Sequence, residues 1–236
     1  MTDVSIHDSA SVSDAVRVTM RNYLSSHHLY ASRYAAETAT KRELELSANA
    51  PIFDIRHRGL VITAVMEAVA FLEAAINELY QDAADAYLHH LGGLASGQVD
   101  LLAAFWAATD GGRRAKMILK YEVALKLCGK PTLDRSRNPT QDVDRLVALR
   151  NHLMHYRPEE VGVDISHKLG EDLRGRFVVN KLMENSGNPS FPDIILGEGC
   201  ANWAWRTARA FAEDFASALG LLLHYQRADF GDPLPA

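Results

Sequence analysis

The segment Arg150-Asn151-His152-Leu153-Met154-His155-Tyr156-Arg157-Pro158 concentrates side chains able to do chemistry. Guanidinium groups hold anions, and imidazoles exchange protons near neutral pH. On a helical wheel with about 100° per residue and Arg150 at zero, Val143 falls near 20°, Leu146 near −40°, Val147 near 60°, Leu153 near −60° and Met154 near 40°. Arg150 therefore sits inside an apolar stripe. A charge buried without a partner is very costly. Arg150 must then either pair with a buried carboxylate, with Glu67 and Glu73 as candidates, or line a cleft or a subunit interface. Asn151 and His155 are four residues apart and share a face, near 100° and 140° on the same wheel.

Other candidates are weaker. His152 and His155 are three apart and could share a face, but the nearest carboxylate, Glu159, lies beyond Pro158. A metal there is the minor reading. The adjacent pairs His27-His28 and His89-His90 point about 100° apart on a helix and make poor joint ligands. Glu73 and Asn77, one turn apart, interrupt an apolar stretch and could hold Arg150 in place; an ordinary buried hydrogen-bonding pair is the favoured reading. Trp106, Trp203 and Trp205 could stack on bases, although core positions are commoner for tryptophan. Arg113-Arg114-Ala115-Lys116 could track a phosphate backbone or be a solvated helix start. No GxxxxGK[ST], GxGxxG, GxSxG or HExxH occurs, and Glu67 and Glu73 lack the Glu-x-x-His spacing of a di-iron bundle.

The elements that must position these residues read as helical almost throughout. Ser11 or Ser13 would cap a first helix carrying Val16, Met20, Tyr23 and Leu24. A second runs over about Leu29 to Leu46, and Pro51 breaks the chain. Asp54 would cap the longest helix, to about His90, ended by Gly92-Gly93. Shorter helices are expected over 99–109 and 113–128. Asn138-Pro139 reads as the cap and first turn of the helix that carries Arg150, which must stop before Pro158. Residues 158–198, rich in Gly and Pro, read as an irregular insertion with one short helix near 166–173; Val178-Val179 could be a short strand or a loop. A last helix over about 200–225 presents Ala204, Ala208, Phe211, Phe215, Leu219 and Leu222 on one face. The expectation is one all-α domain: an N-terminal helical extension over 1–53, motif-bearing bundle helices over 54–157, the insertion, and a C-terminal bundle helix over 199–226.

The 236 residues include 25 basic and 30 acidic side chains, a formal charge of −5, with 47% hydrophobic and 23% charged residues. This is a globular composition and argues against indiscriminate coating of nucleic acid or acidic membranes. The average hides an uneven chain. Residues 112–157 hold 11 Lys and Arg against 4 Asp and Glu, a local balance of +7, which leaves −12 for the rest. Met1 to Ser11 does not read as a signal peptide, and Leu60 to Ile76, interrupted by Glu67 and Glu73, reads as too short and too charged to span a bilayer. Cys128 and Cys200 read as reduced buried thiols, and the expected location is cytoplasmic.

Arg-polar-x-x-x-His at the end of a helix in an all-α bundle resembles the R-x(4–6)-H motif of HEPN domains (higher eukaryotes and prokaryotes nucleotide-binding). Arg150 and His155 match the defining pair, and Asn151 matches the polar residue that often follows the arginine. Phe71-Leu72-Glu73-Ala74-Ala75-Ile76-Asn77-Glu78-Leu79 looks like an early bundle helix of the same kind. In motif the resemblance covers about ten residues; in architecture it covers about 54–226. It implies an up-and-down bundle and a metal-independent endoribonuclease needing no cofactor. It also implies a homodimer with two motifs across a cleft, serving in toxin–antitoxin, phage-defence or RNA-processing roles, with an antitoxin or regulatory protein as a further partner. Many HEPN-like domains are instead silent nucleotide- or protein-binding modules. On the active reading His155 is the general acid/base, Arg150 grips the phosphate, and Asn151 orients His155 or the RNA. Arg157, His152, Arg113 and Arg114 are the candidate substrate-binding residues. One branch of the family has tyrosine two places after the histidine; here Arg157 stands there and Tyr156 adjoins His155, so tyrosine modification by a nucleotidyltransferase partner is not implied.

Overall fold

The computed structural model describes residues 21–158 and 167–227. The expected first helix lies largely outside them; Tyr23 and Leu24 precede α1 as non-helical chain. Among the described residues the fold is an all-α bundle with no strand: α1 Ser25–Leu46, α2 Ile55–Ala84, α3 Ser96–Ala108, α4 Met117–Leu127, α5 Thr140–Met154, α6 Lys168–Leu173, α7 Glu198–Leu219 and α8 His224–Arg227.

The spine is α2, 30 residues and about 45 Å long. Its start follows from chemistry: the Asp54 carboxylate accepts the His57 N–H at 2.7 Å and receives both Arg42 donors at 2.6 Å. It stops at Ala84, earlier than His90, because Ala86 takes a left-handed φ of 51° and sends the chain into a separate turn at Leu88–His90. By length and composition α2 is apolar enough to cross a membrane, which corrects the reading of Leu60 to Ile76 as too short and too charged for that. In the bundle Val61, Ala64, Val65, Ala68, Leu72 and Ile76 fill the core, each with no exposed surface.

The helix α1 runs antiparallel to α2 along its whole length. At one end Ser25 donates to Glu78, midway Ser32 donates to the Ala64 carbonyl at 2.7 Å, and at the other end His57 Nε2 lies 2.9 Å from the Glu43 carboxylate. The third long helix, α7, packs on both. Its Ala204, Ala208, Phe211, Phe215 and Leu219 are buried as the spacing predicts. Leu222 is not, at 58% exposure: Gly220 at φ 70° ends the helix before it. Glu43 fastens the three together. Its oxygens accept the N–H groups of Lys181 (3.0 Å) and Glu198 (2.8 Å) while facing His57.

The region 167–198 is irregular, as its glycines and prolines suggest, and Val178-Val179 is loop. It is also integral to the fold. Leu173, Leu182, Phe191, Ile195 and Leu196 are all buried in the core. The carbonyl of Val178 sits so close to Gly199 that a Cβ there would lie 2.1 Å from its oxygen. Cys128 and Cys200 are free and buried.

Candidate functional site

The helix α5 carries Arg150, Asn151 and His152, and three sets of contacts fix it. In its first turn Asp142 accepts from Arg176 at 2.7 Å and lies 3.4 Å from Trp203 Nε1. Pro139 precedes the first helical residue without a side-chain cap; the expected Asn138 cap is displaced by one position. Along its middle, Val143, Leu146 and Leu149 are fully buried. At its end His152 wedges edge-on against Phe191 (5.0 Å) and His167 (5.1 Å). The helix packs on α2, α6 and α7, and Arg135 links its Asp144 to Glu122 of α4.

The last turn of α5 emerges from the bundle. Met154, placed in the apolar stripe by the wheel, is 54% exposed, and Arg150 is half-buried. His155 is the first residue past the helix and is exposed; its N–H donates to the Asn151 carbonyl at 3.0 Å. Asn151 and Arg157 are exposed too.

Arg150 has no carboxylate partner among the described residues. Glu67 is taken by His28 at 2.6 Å. Glu73 and Asn77 are taken by Lys120, whose ammonium bonds Glu73 and sits 2.8 Å from Asn77 Oδ1. Glu73 and Asn77 thus do not hold Arg150: both accept from the buried Lys120 on α4, Glu73 supplying its counter-charge, which is nearer the favoured hydrogen-bonding reading. The only hydrogen bond Arg150 makes among these residues is a long one to the Met154 sulfur, 3.9 Å, and its shielded Nε has no partner. Of the two readings of an arginine in an apolar stripe, the internal ion pair is excluded among the described residues. His152 Nε2 is likewise buried and unpartnered.

Arg113 and Arg114 are exposed in the turn that joins α3 to α4, and nothing brings them into contact with Arg150 or His155. Arg113 is 3.9 Å from Asp110. The helix expected from Arg113 starts instead at Met117, because Asp110, Gly111 and Gly112 all adopt positive φ and fold a turn under Trp106. The three tryptophans are core residues, and Trp106 Nε1 donates to Gln81 at 2.8 Å. Glu159, outside the described residues, is not placed. No group of three His, Cys, Asp or Glu side chains gathers as a metal ligand set among the described residues.

Sequence reading missed two constellations. Glu43 continues the buried stripe Leu29, Ser32, Ala36, Ala39 at spacings of three and four, so its position on the core face was visible in principle. The ring cluster of His152, His167 and Phe191 joins residues far apart in the chain and left no local signal. Comparison of the chain with protein-family models, with curated proteins and with solved structures finds no match.

Proposed function

We propose that the protein is a metal-independent endoribonuclease of the HEPN type. On this reading it acts in the cytoplasm as a homodimer, in a toxin–antitoxin or phage-defence setting. The observation that carries the reading is Arg150: a half-buried guanidinium with no carboxylate among the described residues, one helical turn and a half from the exposed imidazole of His155. An arginine kept in this state is suited to an anion supplied from outside, and a phosphodiester matches its fork of donors.

The residues then divide the work. Arg150 binds the non-bridging phosphate oxygens and stabilises the charge that builds on the phosphorane. The RNA's own 2′-oxygen attacks phosphorus while its proton passes to an imidazole. The bond from phosphorus to the 5′-oxygen breaks and that oxygen takes a proton. The products are a 2′,3′-cyclic phosphate and a free 5′-hydroxyl, with no water, metal or cofactor consumed. His155 of one protomer serves one proton transfer, and its counterpart across a dimer cleft serves the other. Asn151, on the same face of α5 as His155, positions the imidazole or the ribose. The exposed Arg157 adds phosphate contacts, and Arg113 and Arg114, in the exposed turn before α4, add charge for the RNA backbone.

Purified protein should cut RNA in EDTA, and His155→Ala should abolish cutting. Cutting by His155→Ala at the parent rate defeats the proposal. Binding of RNA or of a nucleotide without any cutting would assign the chain to the silent, HEPN-like binding class.

A further inference from the structure

A trough of about 690 Å³, open to solvent, lies between the later part of α1, the first half of α7 and the irregular stretch 176–178. Phe177 and Trp203 give it an apolar lining, ring centroids 5.2 Å apart at 43°, and Val178 adds a side chain that is 56% exposed. Lys41 of α1 and Arg206 of α7 line it too; both are exposed, and neither meets a carboxylate among the described residues. Its acidic side chains are already engaged: Glu37 pairs with Arg33 at 2.7 Å, and Glu198 accepts from Asn202 at 2.9 Å. The backbone of Phe177 and Val178 makes no hydrogen bond among the described residues. It is nonetheless held in place, because Gly199 has no side chain and lets the Val178 backbone lie against α7.

We infer that this trough is a docking site for an extended peptide segment of a partner protein, one that carries acidic side chains between apolar ones. Main-chain groups left without partners suit a second chain laid alongside them, which gains backbone hydrogen bonds wherever it binds. Lys41 and Arg206, unmatched within the chain, supply charge complementary to carboxylates. Phe177, Val178 and Trp203 supply apolar surface for the side chains between. Sites for small molecules enclose most of their ligand; a trough open along one side suits a longer, extended occupant. A continuous phosphate backbone would meet the carboxylates of Glu37 and Glu198 on the same walls, whereas a peptide can place its own charges singly. The trough stands apart from the exposed end of α5. Arg176 and Trp203, both in its lining, reach Asp142 in the first turn of that helix at 2.7 and 3.4 Å, and the first turn is about 20 Å along the helix from His155. Peptide docking here is therefore independent of RNA cleavage at the other end of α5.

A displayed library of random dodecapeptides, panned on the full chain, is the probe. Enriched sequences should set Asp or Glu beside Val, Leu or aromatic residues, and a synthetic copy of the most enriched one should bind in a fluorescence-anisotropy titration. Lys41→Glu combined with Arg206→Glu should weaken that binding about ten-fold and reduce its salt dependence. The circular-dichroism spectrum should not change, because both side chains are exposed. Hydrogen exchange should find the Phe177 and Val178 amides fast in the free chain and protected by the peptide. The same affinity is expected in His155→Ala, so loss of the cleavage reading would leave the docking site standing. No enrichment, or enriched peptides indifferent to the double charge reversal, overturns the docking site. Binding that leaves the Phe177 and Val178 amides unprotected overturns it as well. Displacement of the peptide by single-stranded RNA, with RNA binding that depends on Lys41 and Arg206, assigns the trough to nucleic acid and overturns the peptide reading.

Discussion

Arg150→Met is the substitution that separates a functional arginine from a structural one. Methionine keeps most of the apolar stem and deletes the guanidinium. A buried, unsatisfied polar group costs about 1–3 kcal/mol, and the Arg150 Nε is such a group. Because the side chain is only half-buried, relief of that cost should be smaller, about 0–1 kcal/mol in favour of the variant. For a chain of this size that corresponds to a midpoint unchanged or raised by up to about 3 °C. An arginine engaged in a buried ion pair would behave oppositely, since breaking such a pair destabilises by about 3–5 kcal/mol. Cleavage should meanwhile fall about 10²- to 10³-fold, the scale of removing one group that stabilises transition-state charge. Thermal unfolding followed by circular dichroism, run beside the RNA-cleavage assay, reads both. A midpoint lowered by more than about 4 °C would show that Arg150 is held by the fold, and the argument from its missing partner would collapse.

Other consequences are equally specific. Glu73→Ala leaves the Lys120 ammonium, which is 3% exposed, without a counter-charge, with Asn77 and the Trp106 ring as its remaining partners; urea unfolding should show a loss of about 2–4 kcal/mol, whereas Lys120→Met, which leaves the more exposed partner, should cost under about 1.5 kcal/mol. Glu43→Ala orphans the Lys181 and Glu198 N–H groups and the His57 ring and should cost about 3–5 kcal/mol. Burial pushes the Glu43 carboxyl up, but the His57 and backbone hydrogen bonds outweigh it and hold it below its ordinary range; the Arg42 guanidinium holds Asp54 at about 2. Both carboxylates then stabilise the fold above their ordinary pKa range and lose that contribution as pH falls through their lowered values. An acid titration of stability should therefore show a decline continuing toward pH 2 that is shallower in Asp54→Asn; an identical profile for the two proteins would contradict the pairing. Gly199→Ala forces a Cβ against the Val178 carbonyl and should lower the unfolding midpoint by several degrees, about 1–3 kcal/mol.

The long elements were legible because they bury one stripe each. The period of α2, the cap at Asp54, the face of α7 and the burial of Val143 and Leu146 on α5 all follow from spacing. Boundaries failed where a tertiary contact or a local left-handed turn decided them. The start of α4 depends on a turn held under Trp106, and the end of α2 on a left-handed alanine. In the site, the placement of Arg150, Asn151 and His155 near a helix end could be read from sequence, but the exposure of Met154, set in the apolar stripe by the wheel, could not. The fate of the carboxylates could not: that Glu67 belongs to His28 and Glu73 to Lys120 depends on how α1 and α4 lie against α2. Neither could the ring cluster under Tyr156, whose members come from three separate segments.

The central claim is that this chain cuts RNA through the RNA's own 2′-hydroxyl at the α5 end. Its most direct test uses protein stripped with EDTA and an RNA whose cleavage position is known, made again with a single 2′-deoxyribose on the 5′ side of that bond. Attack by the 2′-hydroxyl should leave a 2′,3′-cyclic phosphate end on the all-ribose strand, by mass spectrometry, and no cut at the deoxy position. Cleavage at the deoxy position, or a 3′-hydroxyl end, would contradict it.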